Sequence, residues 1–264
     1  MPERLYRDPL TLKEREEFEE DLTSFCDSQL DLLGEIQGLN VLYVGGSSLL
    51  WIEGLSTRIG ANGTLTVLDV DEEALDDTRE NLDEADLASP VKLVAGDVFA
   101  PPLDENTFDL AYSAGLFHEL DVATAPVGRA LDSLAGVVRR GGRIATTDFV
   151  DSVPAVQFED EHRDAELARQ LAGRELYGIG PPERLIALHD QFLSELEWQV
   201  IPPHSIRHFA KIALAEPEPD ILQLATDGQR AEWRRRRAEL ESRIICDGYT
   251  RPATLFLEGR TVDR

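Results

Sequence analysis

Cysteine, lysine and long hydrophobic runs are all scarce in this chain of 264 residues. The two cysteines, Cys26 and Cys246, lie in no CxxC motif and in no histidine-rich stretch, which predicts neither a disulfide framework nor a metal site. No apolar run approaches the length of a membrane span, and the opening residues MPERLYRDPL lack the apolar core of a signal peptide. We therefore expect a soluble, cytoplasmic protein with no membrane partner.

Positive charge is equally scarce. The chain has 26 Lys and Arg against 51 Asp and Glu, a formal net charge of -25, and lysine occurs only at positions 13, 92 and 211. Because 42% of the residues are hydrophobic, this is not the composition of a disordered chain. An acid excess of this size predicts a halophilic protein, whose self-repulsion is screened at high salt. It argues against broad nucleic-acid binding, since that needs a basic surface.

Residues 41–69 have the pattern of a βαβ unit that binds a nucleoside. The apolar run Val41–Val44 stops at the turn GGSS, a partly amphipathic helical segment follows, and a second apolar run ends at Asp69. Glycines let a ligand approach the backbone closely, and the start of a helix favours negative charge. A carboxylate after the second strand can accept hydrogen bonds from both hydroxyls of a ribose. The residues alone leave open a plain strand-to-helix turn with a solvated acid.

Helix and strand patterns alternate around this unit. A helix over residues 11–33 precedes it; the segments that follow are a helix capped by Asp71, strands at 91–94 and 108–114, a helix over 125–140 and a strand at 143–149. Alternation at this spacing predicts a parallel, doubly wound sheet. Asp97, just after the strand at 91–94, is either a turn acid or an acceptor for an adenine amino group.

The remaining third of the chain predicts a helix over 183–197, an extended piece over 198–214, a long helix over 221–246 and a last strand at 253–259. The long helix carries four arginines, Arg234 to Arg237. They could form a phosphate or RNA patch. Glutamates 232, 239 and 241 lie at helical pairing distance, which favours a salt-bridged face instead.

Residues 40–150 resemble a class I S-adenosylmethionine-dependent methyltransferase. The resemblance rests on VLYVGG followed by LTVLDVDEEAL, then VKLVAGDVFAPPLDENTFDLAYSAGLFHEL and RALDSLAGVVRRGGRIATTDF. It implies a doubly wound, mostly parallel Rossmann-like sheet with an antiparallel terminal strand pair. It also implies S-adenosylmethionine as cofactor and S-adenosylhomocysteine as product. We expect an N-terminal helical segment at 1–38 and a methyltransferase domain at 39–264.

The resemblance also implies the cofactor residues. Gly45, Gly46 and Ser47 would line the methionine part, Asp69 would bind the ribose, and Val70 would pack on the adenine. Asp97 and Val98 would lie at the adenine edge, with Ser113 and Ala114 near the sulfonium. Tyr43 belongs to the same expected site, although the family usually has an acid there. The family also has further glycines at the positions of Ser47 and Leu49.

The acceptor side is less defined. No Asn-Pro-Pro-Tyr type motif follows the fourth strand, which favours a small-molecule acceptor. His118 is a candidate general base, but it is equally a loop histidine bonded to backbone. His118, Asp148 and Tyr177 are candidate substrate-binding residues, and Asp148 is a second candidate base. The alternatives are a structural acid for Asp148 and an anchoring aromatic for Tyr177. We expect a lid-like segment at 150–182 and a helical insert at 217–247, which either makes a homodimer contact or covers the cleft.

Two other functions fit parts of this pattern. Because Tyr43, Ser47 and Leu49 depart from the family, the fold could instead serve a non-catalytic partner subunit or ligand sensor. An NAD-dependent reductase fits poorly, since its glycine pattern would extend through Leu49 and no Tyr-x-x-x-Lys pair follows.

Overall fold

One mixed sheet organises the protein. The computed structural model describes residues 9–46, 48–82, 85, 87–215 and 226–262. The described strands form a seven-stranded sheet in the order β3-β2-β1-β4-β5-β7-β6. Their bounds are β1 Asn40–Val44, β2 Thr64–Asp69, β3 Val91–Ala95, β4 Phe108–Ala114, β5 Val138–Val150, β6 Leu193–Ile201 and β7 Ala253–Thr261. The pairs among β1 to β5 are parallel, and β7 runs antiparallel to both β5 and β6.

Helices cover both faces of the sheet. They are α1 Leu12–Leu30, α2 Leu49–Ile59, α3 Glu72–Leu82, α4 Gly128–Val137, α5 Val156–Ala172, α6 Pro182–His189, α7 Phe209–Ala215 and α8 Asp227–Asp247. Short 3-10 turns span Asp31–Leu33 and Phe117–Glu119. No described helix is long and apolar enough to cross a membrane. The predicted α/β class, the parallel sheet and the antiparallel terminal pair are confirmed.

Alternate side chains of β1 point into two separate cores, as the period of two of a strand requires. Leu42 and Val44 pack with α4 and α6 on one face, and Val41 and Tyr43 pack with α1 and α2 on the other. All four are buried. Because both faces are covered, the central strands are continuous apolar runs, which explains why they could be recognised in the sequence.

The predicted helix over 125–140 is too long at its C-terminal end. Residues 138–142 belong to β5, not to α4: Val138 pairs with Phe108, and the Thr107 N–H donates to the Val137 carbonyl at 2.8 Å. The Thr261 hydroxyl donates to the Arg139 carbonyl at 2.8 Å from the other side. Hydrogen bonds to partners on both sides override the local helical pattern at these residues.

The predicted helix over 183–197 is also wrong beyond residue 189. The chain forms β6 from Leu193 and bulges between Ser194 and Glu197, where Glu195 has a φ of 53°. Pairing with β7 determines this strand, and the bulge breaks its alternation. Within the predicted extended piece over 198–214, β6 ends at Ile201 and α7 begins at Phe209.

Helix α8 confirms the salt-bridged interpretation of the arginine run in part. Arg235 pairs with Glu232 and Glu239, and Arg237 pairs with Glu241. Trp233 is buried, and the guanidinium of Arg237 lies 5.7 Å from its ring centroid. The predicted start of this helix, and part of the predicted insert, lie outside the described residues.

Candidate active site

A cavity opens where the strand order reverses, at the carboxyl ends of β1 and its neighbours. Its volume is about 440 Å³. Residues that follow β1, β2, β3 and β4 line it: Val44, Gly45, Leu68, Asp69, Val70, Gly96, Asp97, Val98, Phe99, Leu116, Glu119, Leu120, Asp121 and Thr124, with Arg174. We call it the acidic cavity. Open α/β sheets bind their ligands at this switch point.

Asp69 and Asp97 are held in the same way. One oxygen of Asp69 accepts the Asp71 N–H at 3.0 Å, and one oxygen of Asp97 accepts the Phe99 N–H at 2.9 Å. Within the described chain, the second oxygen of each carboxylate makes no hydrogen bond. Both carboxylates are therefore oriented by their own backbone and keep an acceptor for a ligand.

The walls between these acids are apolar. Val70 is 72% exposed and stands at the rim, whereas Val98 and Phe99 are buried. An exposed valine beside buried apolar neighbours provides a surface on which a flat ring can pack. Of the predicted cofactor residues, Gly45, Asp69, Val70, Asp97 and Val98 are brought together around this cavity.

The charge of the cavity limits what it can bind. Four carboxylates line it, those of Asp69, Asp97, Glu119 and Asp121. Arg174 is the one cation among the lining residues, and its Nε lies 3.8 Å from an oxygen of Asp121. Such a site favours hydroxyl and amino groups and cationic ligands, and it repels the pyrophosphate of a dinucleotide.

The glycine turn is shaped by two large side chains. Gly45 has a φ of 71°, and a Cβ there would overlap Leu116. A Cβ on Gly46 would overlap the ring of Tyr43, whose Cε1 lies 2.7 Å from that position. Both positions therefore require glycine. The requirement at Gly46 comes from Tyr43, the residue at which the sequence departs from the family.

Several predicted site residues lie away from the acidic cavity. Tyr43 is 1% exposed and stacks with Trp51 and Tyr112, with centroids 6.4 and 5.9 Å away. Ser113 is also 1% exposed, and its hydroxyl donates to Thr146 Oγ1 at 3.3 Å. These two side chains belong to the sheet interior. Ser47 lies outside the described residues.

A second cavity begins at the end of β4, beside the first. Gly115 lines it and the next residue, Leu116, lines the acidic cavity. Its volume is about 290 Å³. The remaining walls are mostly apolar and aromatic: Leu22, Phe25, Cys26, Gln29, Ser48, Leu50, Trp51, Ala114, Thr147, Asp148, Phe149, Arg251 and Thr254. We call it the aromatic cavity. Of the predicted residues, it contains Ala114 and Asp148.

His118 is tied to Asp148. Its Nδ1 lies 2.6 Å from Asp148 Oδ1, and the other carboxylate oxygen accepts the Phe117 N–H at 2.7 Å. Burial opposes the charged imidazole, but the Asp148 carboxylate outweighs it and raises the pKa of His118 to about 9. At neutral pH the ring is therefore an imidazolium and cannot accept a proton. The His118 N–H also donates to the second oxygen of Asp148, at 3.3 Å, so Asp148 anchors the turn after β4. Its Oδ1 accepts in addition the N–H of Phe149, the next residue of β5, at 2.8 Å.

Tyr177 is held by its own loop. Its N–H donates to the Leu120 carbonyl at 2.8 Å, and the guanidinium of Arg184 lies 3.5 Å from its ring centroid. His118 and Tyr177 both line a third, very small space of about 10 Å³. Neither residue lines the acidic or the aromatic cavity. The predicted lid-like segment nonetheless runs beside the acidic cavity, because Leu176 forms a bridge with Asp121.

Sequence reasoning missed two polar residues of the aromatic cavity, Gln29 and Arg251. Gln29 comes from α1 and Arg251 from the loop before β7. No motif surrounds either residue, and only the fold brings the two ends of the chain together. Leu116 and Arg174 of the acidic cavity were missed for the same reason.

The chain is similar to known methyltransferases. Residues 41–142 match the family model described as "Methyltransferase domain". Over 127 residues the chain is 30% identical to the ubiquinone/menaquinone biosynthesis C-methyltransferase of Idiomarina loihiensis. That similarity covers 48% of this chain and 49% of the relative, so the chain spans about half the length of the relative it matches.

Solved structures show the same fold. The YcgJ protein from Bacillus subtilis matches with a TM-score of 0.60 at 14% identity, over 91% of this chain and all (100%) of that one. Phosphoethanolamine N-methyltransferase 2 of Haemonchus contortus was solved with phosphomonomethylethanolamine and S-adenosylhomocysteine. It matches with a TM-score of 0.55 at 13% identity, over 93% of this chain and 53% of that one.

The sheet order and these likenesses define a class I methyltransferase fold. Within this fold, residues 41–142 are the part that matches the methyltransferase domain model. The family match and the relative both link the chain to methyltransferases.

Proposed function

We propose that the protein binds S-adenosylmethionine in the acidic cavity and transfers its methyl group to a small molecule held in the aromatic cavity. The observation that carries this proposal is that consecutive residues after β4 line the two cavities, Gly115 the aromatic one and Leu116 the acidic one. A methyl donor in one cavity and an acceptor in the other would lie on either side of this turn. Alignment of the two reactants is the main requirement of a methyl transfer.

The residues of the acidic cavity would hold the cofactor. The free oxygen of Asp69 would accept from the ribose hydroxyls, and Asp97 would accept from the adenine amino group. Val70 and Val98 would contact the adenine faces, and Gly45 would let the methionine part approach the backbone. Bound there, the cofactor supplies an electrophilic methyl group on a sulfonium, whose positive charge suits a cavity lined by four carboxylates.

Tyr43 and Ser113 would act indirectly. The ring of Tyr43 packs against Gly46 of the glycine turn. The Ser113 hydroxyl donates to Thr146 and so ties the end of β4 to β5. Because His118 is protonated at neutral pH, we infer that it and Asp148 shape the turn after β4 and do not remove a proton from the acceptor. An acceptor that is nucleophilic without losing a proton fits this site.

Calorimetric titration with S-adenosylhomocysteine in molar KCl tests the cofactor site. Micromolar binding by the wild type, lost in Asp69→Ala, supports the proposal. Glu80→Ala removes an exposed acid of helix α3 and should bind as the wild type does. If a folded wild-type sample does not bind the ligand, the catalytic proposal fails, and the non-catalytic partner or sensor becomes the better account.

We also propose that the protein is halophilic and cytoplasmic. The support is its net charge of -25 with three lysines. Broad nucleic-acid binding remains disfavoured, because Arg235 and Arg237 are neutralised by glutamates.

A homodimer contact through the helical insert stays a prediction. Helix α8 buries Trp233, Leu240 and Ile244, while Ile245 is 72% exposed. Sedimentation of the wild type and of Ile245→Glu would test whether this face associates.

A further inference from the structure

Arg251 is an unusual cation in this acidic protein. It is largely enclosed at the wall of the aromatic cavity, and its Nη1 has no hydrogen-bond partner among the described residues. Its Nε donates to Gln157 Oε1 at 3.1 Å, an amide and not a carboxylate. In the part of the chain that the structure describes, no Asp or Glu forms an ion pair with it. Burial lowers its pKa to about 10, so it remains charged at neutral pH.

Aromatic rings hold the guanidinium in place. Its centre lies 4.4 Å from the ring centroid of Phe25, 5.2 Å from that of Phe149 and 5.7 Å from that of Phe209. Phe25 and Phe149 line the same cavity. Cation–π contacts orient an arginine without neutralising it. The negative charge of Glu161 raises the pKa of Arg251, but burial outweighs this effect.

The loop that carries Arg251 is fastened to the start of α5. The Val156 N–H donates to Thr250 Oγ1 at 2.9 Å, and the Gln157 N–H donates to the Thr250 carbonyl at 3.0 Å. The Tyr249 hydroxyl donates to Asp160 Oδ2 at 3.0 Å. These bonds preorganise the arginine, as a binding residue requires.

Gln29 provides a second unsatisfied group in the same cavity. Its side chain is 1% exposed, and its Oε1 has no hydrogen-bond partner in the described chain. A buried amide oxygen without a partner is costly, and native structures contain few of them. Arg251 and Gln29, each with one buried and unsatisfied polar atom, thus line one space of about 290 Å³ with aromatic walls.

We propose that the aromatic cavity binds a carboxylate, held by Arg251, on a ligand that also donates a hydrogen bond to Gln29. This inference deepens the proposed function, because it names the chemistry of the group bound beside the reacting methyl. The carboxylate comes from one of two sources: a small acid that accepts the methyl group, or the methionine end of a cofactor whose nucleoside lies in the acidic cavity.

The test compares the wild type with Arg251→Gln, and with Arg235→Gln as a control that removes the same charge from the exposed face of α8. The cofactor arm titrates S-adenosylhomocysteine and 5′-methylthioadenosine, which lacks the amino-acid end. If the cofactor supplies the carboxylate, Arg251→Gln weakens the binding of S-adenosylhomocysteine about 10- to 100-fold. The binding of 5′-methylthioadenosine is then unchanged. Arg251→Lys keeps the positive charge but lacks the planar guanidinium. Its affinity for S-adenosylhomocysteine should therefore lie between those of the wild type and Arg251→Gln.

The acceptor arm titrates benzoate, phenylacetate and 4-hydroxybenzoate against their amides, with and without saturating S-adenosylhomocysteine. If the acceptor supplies the carboxylate, at least one acid binds more tightly than its amide, and only Arg251→Gln abolishes the difference. If both arms are unchanged by Arg251→Gln, the inference is overturned. The titrations without S-adenosylhomocysteine test this cavity even if the cofactor proposal fails.

Gln29→Leu separates a ligand role from a structural one. Leucine has a similar size and no unsatisfied oxygen, so the variant should melt at a higher temperature than the wild type while binding the ligand less tightly. A lower melting temperature with unchanged binding would show that the amide is structural and would overturn its part in the inference.

Discussion

The pH dependence of stability should reveal the His118–Asp148 pair directly. In the folded protein the carboxylate raises the pKa of His118 from 6.5 to about 9. The folded state therefore holds a proton that the unfolded chain releases at lower pH. Stability from this group is fully present below pH 6.5 and is lost as the pH rises through about 9.

The size of the effect follows from the shift. Each pKa unit corresponds to about 1.4 kcal/mol, so the shift amounts to roughly 3 kcal/mol. His118 is only 7% exposed and Asp148 only 2%, so solvent and salt screen the pair weakly. The loss should therefore persist in molar KCl, where surface pairs contribute little.

The assay is denaturant unfolding from pH 6 to 10 for the wild type and His118→Gln. Their difference in unfolding free energy should shrink by roughly 3 kcal/mol across this range. His162→Gln replaces an exposed histidine of α5 and should run parallel to the wild type. A wild-type profile parallel to that of His118→Gln would refute the reasoning and would reopen His118 as a base.

Three further outcomes follow from the same contacts. Asp148→Asn should destabilise the protein by about 3–5 kcal/mol, since it leaves His118 buried without its partner, and calorimetry at pH 7 would measure this. Gly46→Ala should lower the free energy of unfolding by about 1–3 kcal/mol, because the new Cβ overlaps Tyr43, and it should weaken S-adenosylhomocysteine binding. The control Gly136→Ala meets open space within α4 and should not lower the free energy of unfolding. The melting temperature of the wild type should rise from low to molar KCl, and a flat response would exclude halophilic adaptation.

Much of the fold was predictable because its signals are local. The central strands are buried on both faces and read as apolar runs, and the antiparallel β7 was recognised at residues 253–259. The end of α4 and the first part of β6, residues 193–197, were not predictable in this way. Val138 and Leu193 take strand conformation because partners distant in sequence, Phe108 and Thr261, pair with them.

The same division applies to the candidate site. Asp69 and Asp97 follow strands directly, and parallel strands bring their carboxyl ends to one edge, so their neighbourhood could be predicted. Tyr43 was expected at the cofactor, but its side chain is buried in the core on one face of the sheet, whereas Val44 lies in the core on the other face. Gln29 and Arg251 carry no local signal at all, since each acquires its role only when α1 and the loop before β7 close over the sheet.

The position of Arg251 has a consequence for how such a protein can change. The walls of the acidic cavity come from residues 44–124 and Arg174, whereas Arg251 lies in a late loop fastened to α5. A substitution at Arg251 therefore changes the aromatic cavity without touching any residue that lines the acidic cavity. We expect exchange of this one loop between relatives to alter what the aromatic cavity binds, while the acidic cavity keeps its lining.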